Sequence, residues 1–165
     1  MLKKIVLAAL FFLPLGALAQ DKIAYVNYSE VLSAMPETAA AEDELAKFSQ
    51  TITNELRRME DEYNKKMAEF QQQSDSLAQS IKVRRMQDLQ DLRERTATFY
   101  EQSQQEVTKK QSDLITPINQ KFQDAVQAVG EEHGFTYVLE RGAFLYIAPN
   151  AADATPLVKA KLGIR

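Results

Sequence analysis

Cysteine and tryptophan are absent from this chain of 165 residues, and there is a single histidine, His133. Without cysteine there is no disulfide framework, thiolate nucleophile, iron–sulfur cluster or cysteine-based zinc site, and one histidine excludes a multi-histidine metal centre. Glycine and proline are scarce as well, five of each, which points to very long regular elements instead of a compact, loop-rich enzyme. No phosphate-binding glycine loop, nucleotide fingerprint or nucleophile motif is present. What the chain has in quantity is charge, 20 Lys+Arg against 23 Asp+Glu.

Lys3 and Lys4 precede an apolar run from Ile5 to Leu15, and Ala17-Leu18-Ala19 forms a small-x-small site before Gln20-Asp21. This reads as a cleaved secretory signal peptide over residues 1–19, with cleavage after Ala19. The apolar run is about half of the roughly 20 residues that a spanning helix needs. The leader looks bacterial and implies a periplasmic or extracellular mature chain. Losing Lys3 and Lys4 leaves 18 positive against 23 negative side chains, 18 − 23 = −5, which disfavours nucleic acid as a partner.

Between Pro36 and Pro117 lie 80 residues without one Gly or Pro, rich in Glu, Gln, Lys, Arg, Ala, Leu and Met. These are good helix formers, so helical arms are expected over about 37–133. Apolar positions recur at Leu45, Phe48, Ile52, Leu56, Met59, Tyr63, Met67 and Phe70, in steps of 3, 4 and 4. That eleven-residue period gives a nearly straight or slightly right-handed stripe. A second stripe runs through Leu89, Leu92, Thr96, Phe99, Val107, Leu114, Ile118, Phe122, Ala125 and Val129. It thins between Glu101 and Asp113, where Val107 is the one strongly apolar residue, so that stretch faces water or a wet cavity. His133-Gly134 supplies a helix stop.

Three β-branched and aromatic runs flank the helices: residues 22–28, 135–140 and 143–148, the last two joined at Arg141-Gly142 as a hairpin. A two-stranded hairpin is marginal alone, so these strands gain by pairing with the first, which requires the helix to double back. Ser74-Asp75-Ser76 is the turn-like cluster in the stretch. Two arms of similar length result, projecting roughly 55 Å at about 1.5 Å per residue. Pro117 is expected to kink the return arm where Ile118 to Val129 begins to pack on the body. A short helix over about 153–162 closes the chain, with Pro156 in its first turn and Gly163 as its stop.

The fold class is therefore α+β, a small β body with a long antiparallel helical hairpin. Three strands leave two open edges, and the run from Ala143 to Ala148 is too continuously apolar for a sheet wet on one face. Closing these surfaces against copies of the same chain answers both problems. The residues expected in that oligomeric body are Ile23, Tyr25, Val26, Tyr137, Leu139, Phe144 and Tyr146.

With KIAYVNYSEVL at Lys22 to Leu32, Met35-Pro36-Glu37, the long charged hairpin, FTYVLERGAFLYIA at Phe135 to Ala148 and DATPLVKAKLGI at Asp153 to Ile164, the chain resembles the Skp-like periplasmic chaperones, the OmpH family. The resemblance implies a jellyfish-like homotrimer whose helical tentacles enclose a cavity. That cavity holds unfolded outer-membrane proteins, without ATP, and delivers them for assembly. The residues themselves offer no candidate catalytic set, so neither an enzymatic activity nor a cofactor is expected. Methionines and single aromatics on the arms supply adaptable apolar surface. The candidates for the cavity face are Met59, Tyr63, Met67, Phe70, Leu89, Leu92 and Phe99, with zipping of the two arms as their alternative role.

Family members are typically basic, whereas this mature chain is acidic and its charge is segregated. Residues 30–44 carry five acidic side chains and no cation, and residues 82–95 carry five cations against three acids. Anionic lipid head groups or lipopolysaccharide would meet the tips at Lys82, Arg84 and Arg85; a solvated helix face is the alternative. Glu42-Asp43-Glu44, Glu60-Asp61-Glu62 and Glu131-Glu132-His133 point in different directions along a helix and do not converge as ligands. The competing class is an exported coiled-coil scaffold without a client, which calls for a thick continuous seam.

Overall fold

The computed structural model describes residues 22–164; the leader and its cleavage site lie outside the described residues. The elements run β1 (Ile23–Val26), α1 (Tyr28–Ala34), α2 (Pro36–Gln73), a 3-10 turn (Ser74–Ser76), α3 (Gln79–His133), β2 (Tyr137–Glu140), a second 3-10 turn (Arg141–Ala143), β3 (Ala152–Asp153) and α4 (Thr155–Lys161).

The arms form as their composition requires. Helix α2 has Pro36 in its first turn, where a missing N–H costs nothing, and its 38 residues span about 57 Å. The chain turns back at Ser74–Ser76, where the Ser76 hydroxyl donates to the Gln73 carbonyl at 2.9 Å. Ile81 consequently belongs to the return arm. Helix α3 runs 55 residues and passes through Pro117 without interruption, so arm and body are distinguished by packing and not by a break. It ends at Gly134, whose φ of 64° is left-handed and whose N–H donates to the Gly130 carbonyl. Lys110 pairs with Glu44, and Lys121 with Glu37, which marks the antiparallel register of the two arms.

The sheet differs from the expected one. Its order is β2-β1-β3, and both pairings are parallel: Ile23 opposite Tyr137, Tyr25 opposite Leu139, and Tyr25 again opposite Asp153. Residues 143–148 are not a strand. A two-residue hairpin at Arg141-Gly142 needs a primed turn with positive φ, and Gly142 is not among the positive-φ glycines, Gly134 and Gly163. The chain instead makes a 3-10 turn and continues to β3, just beyond which the Ala154 N–H donates to the Tyr25 carbonyl at 2.8 Å. The first strand is also shorter than expected. Asn27 caps α1 by accepting from the Glu30 N–H at 3.2 Å, which places Tyr28 in a helix.

One face of the sheet is covered. Ala24 and Val26 pack against Val31, Leu32 and Met35 of the α1 segment, Ile118, Phe122, Ala125 and Val129 of α3, and Val158 of α4. Tyr28 joins them edge-on to Phe122, with ring centroids 5.2 Å apart at 86°, while its hydroxyl donates to Asn119 Oδ1 at 2.6 Å. Helix α4 is tied down at both ends: Thr155 Oγ1 accepts from the Asn27 N–H at 3.0 Å, and Lys159 pairs with Glu30.

Candidate functional site

Two surfaces carry apolar side chains that the single chain leaves open. The first runs along the distal half of the arms. Two shallow troughs share Tyr63, Arg93 and Ala97: one of about 560 Å³ lined also by Leu56, Glu60, Asn64, Thr96 and Tyr100, the other of about 630 Å³ lined also by Met67, Phe70, Met86, Leu89 and Glu94. Tyr100 and Met86 remain 53% and 60% exposed. The floor is greasy and the rim carries both signs of charge, so the surface has no net preference for a cation or an anion.

The expected cavity residues divide between two environments. Met59, Tyr63, Met67, Phe70 and Phe99 are half-buried, and Tyr63, Met67 and Phe70 lie on the troughs. Phe99 opens on another side of α3, beside Arg95, Thr98 and Gln102. Leu89 and Leu92 are buried along α3, although Leu89 also borders the second trough. Met86 and Tyr100 stand outside both sequence stripes, and Leu56, on the first stripe, is not among the expected cavity residues. Met86, Ala97 and Tyr100 form a line beside the main α3 stripe, and Gln90 and Arg93 interrupt it, which weakens its periodic signal.

The thin stretch of α3 is not simply wet. Ser103 is 2% exposed and Val107 is half-buried. A small side chain lets two helices approach closely, and the Lys110–Glu44 pair spans the arms nearby. At the turn Arg85 donates to Gln73 Oε1 at 3.0 Å and so ties the arms together. Arg84 is exposed and Lys82 half-buried, interleaved with exposed Ile81 and Val83.

The second surface is the other face of the sheet. Strand alternation sends Ile23, Tyr25, Tyr137 and Leu139 away from the core, and Ile23, Tyr137 and Leu139 are 41–55% exposed. Val26 is the exception among the expected body residues: at 3% exposure it belongs to the chain's own core, because it is odd in register with Ile23. Beyond β2, Phe144 is half-buried, while Leu145 and Tyr146 stand almost wholly in the open. Burial raises the Tyr25 hydroxyl above its ordinary pKa, and the neighbouring Asp153 carboxylate pushes the same way.

A long helical hairpin on a small sheet with one uncovered face defines a class of tentacled protein. The chain belongs to the OmpH-like outer membrane protein family, whose model matches residues 22–162. It is 30% identical over 137 residues to the chaperone protein Skp of Pectobacterium atrosepticum, covering 83% of this chain and 82% of that one. With Skp of Yersinia enterocolitica it shares 28% identity over 164 residues, 96% of this chain and all of the other. A solved OmpH-like putative outer membrane chaperone of Caulobacter crescentus superposes with a TM-score of 0.77, covering 87% and 85% of the two chains. At 17% identity that likeness speaks for the fold alone.

Proposed function

We propose that this chain is an ATP-independent holdase of the periplasm, exported by cleavage after Ala19, that keeps unfolded outer-membrane proteins from aggregating until they are assembled. The observation that carries this is the arm surface: an apolar trough left open along its length, in place of a closed seam. Transmembrane β-strands present one apolar side chain every second residue, about 6.6 Å apart. Successive apolar positions on α2, such as Tyr63, Met67 and Phe70, stand roughly 5–6 Å apart. An extended segment with one greasy side therefore meets an apolar partner along the trough while its polar side stays wet. Many such contacts, each weak, hold a chain without committing it.

The uncovered sheet face and the Phe144 to Ala148 run support closure of the body by further copies, and we assign three. Three hairpins around one body would enclose a cavity. At the tips, Lys82 and Arg84 offer a weak contact for anionic head groups with Arg85 beside them. Reversing these charges with no change in anionic-vesicle association would remove that assignment.

Native mass spectrometry of the mature protein, alone and after a urea-unfolded β-barrel protein is diluted into it, tests the reading. A trimer carrying one soluble client chain is the expected species. A monomer or dimer that leaves the client to aggregate would overturn the holdase assignment.

A further inference from the structure

Among the described residues there are four methionines, and the fold separates them sharply. Met35 is 1% exposed in the body core, Met59 and Met67 are half-buried on α2, and Met86 is 60% exposed on α3. Met86 and Met67 line the same trough with Phe70 and Leu89. The chain has no cysteine or tryptophan, so thioether sulfur is the most oxidisable group it offers.

We propose that Met86 is the preferred oxidation site of this protein, and that its sulfoxide switches the distal trough from apolar to polar. The oxidant is hydrogen peroxide. The thioether sulfur attacks one peroxide oxygen, an S–O bond forms as the O–O bond breaks, and the second oxygen leaves as water carrying both peroxide protons. Sulfur loses two electrons and peroxide gains them. The product is a polar, chiral side chain in place of a flexible apolar one. At Met86 the change falls on a trough whose other apolar lining residues are Tyr63, Met67, Phe70, Leu89 and Ala97, so the oxygen enters an apolar floor beside an already polar rim. Met35, at 1% exposure in the body core, is shielded from the oxidant. That the loss is one of client holding rests on the function proposed above.

Trypsin places each of the four methionines on a separate peptide, so mass spectrometry during peroxide treatment of the mature protein reads each site independently. Met86 is expected to oxidise first, Met59 and Met67 later, and Met35 last. In parallel, anilinonaphthalene sulfonate binding reports the apolar trough without any client. At peroxide exposures that oxidise Met86 and not yet Met67, its signal should fall about twofold in the wild type and hold in Met86→Leu, which keeps the volume but not the sulfur. Retention of an unfolded β-barrel protein in solution should follow the dye. Oxidation of Met35 as fast as Met86, or equal loss of dye binding in Met86→Leu and wild type, overturns the proposal. Failure of the untreated protein to hold the client would instead count against the holdase reading, and the peptide map and dye would still decide this one.

Discussion

Lys110 Nζ donates to Glu44 Oε1 across the two arms, two helical turns along α3 from the buried Ser103. Charge and close approach thus act together where the apolar stripe is thin. The pair itself is partly exposed, 32% and 55% at the side chains, and such pairs contribute little, about 0–1 kcal/mol. Closeness at Ser103 is the larger effect. Ser103→Leu is expected to force the arms apart and cost about 1–3 kcal/mol, while Lys110→Ala shifts stability by less than about 1 kcal/mol. Urea unfolding of both variants, followed by circular dichroism, checks the ordering; an equal or larger loss in Lys110→Ala would reverse it.

Leu92 and Tyr100 are only two turns apart on α3, yet one is 5% and the other 53% exposed. Leu92→Ala removes buried methylenes from the helical hairpin and should destabilise by about 2 kcal/mol, leaving client capture by the remaining folded protein intact. Tyr100→Ser should leave the unfolding free energy within about 0.5 kcal/mol of wild type and weaken retention of an unfolded β-barrel protein. Comparing thermal melts with a light-scattering aggregation assay separates the two roles. If both variants lose only stability, the troughs are a seam and not a holding surface.

Leu139 and Val26 sit on opposite faces of one small sheet. Leu139→Asp places a charge on the uncovered face and is expected to abolish self-association while the chain keeps its helical content. Val26→Asp buries an unpaired carboxylate beside Phe122 and Met35, which costs several kcal/mol and should leave little folded protein. Size-exclusion chromatography with light scattering reads the first and circular dichroism the second. A Leu139→Asp protein of unchanged mass would place the contact between copies elsewhere.

The arms were legible because helix leaves a plain signature: 80 residues without a breaker, a turn at Ser74–Ser76 and a stop at Gly134. The packed segment Ile118 to Val129 was legible for the same reason, its stripe being dense. The sheet was harder. Strand β3 is two residues, Ala152–Asp153, with no β-branched side chain, and is held through backbone hydrogen bonds to β1; pattern reading favours Phe144 to Ala148, which has the composition of a strand and no strand partner among the described residues. Helix α1 has a legible start in the sequence. Asn27 followed three residues later by Glu30 is a capping pair, and the two side chains also bond at 3.2 Å. The open trough escaped because Gln90 and Arg93 break its line, an interruption that only the facing arm makes sense of.

Glu37 stands in the first turn of α2 and accepts a hydrogen bond from Lys121, which holds its carboxyl below the ordinary carboxylate range; its backbone hydrogen bond acts in the same sense. Glu132, paired with Lys161 of α4, is lowered for the same principal reason. A folded-state pKa below the unfolded value means that the contribution to stability is fully present above the unfolded value, about 4.3, and is lost as pH falls through the folded one. The arm base and the α4 contact are therefore expected to loosen below about pH 4, with no change between pH 6 and 8 from these groups. Side-chain carboxyl titration by NMR checks the cause directly: the Glu37 midpoint should rise in Lys121→Gln while Glu132 stays put. A Glu37 midpoint unmoved by that substitution would mean that the Lys121 contact does not set it, and the acid loosening would have to arise elsewhere.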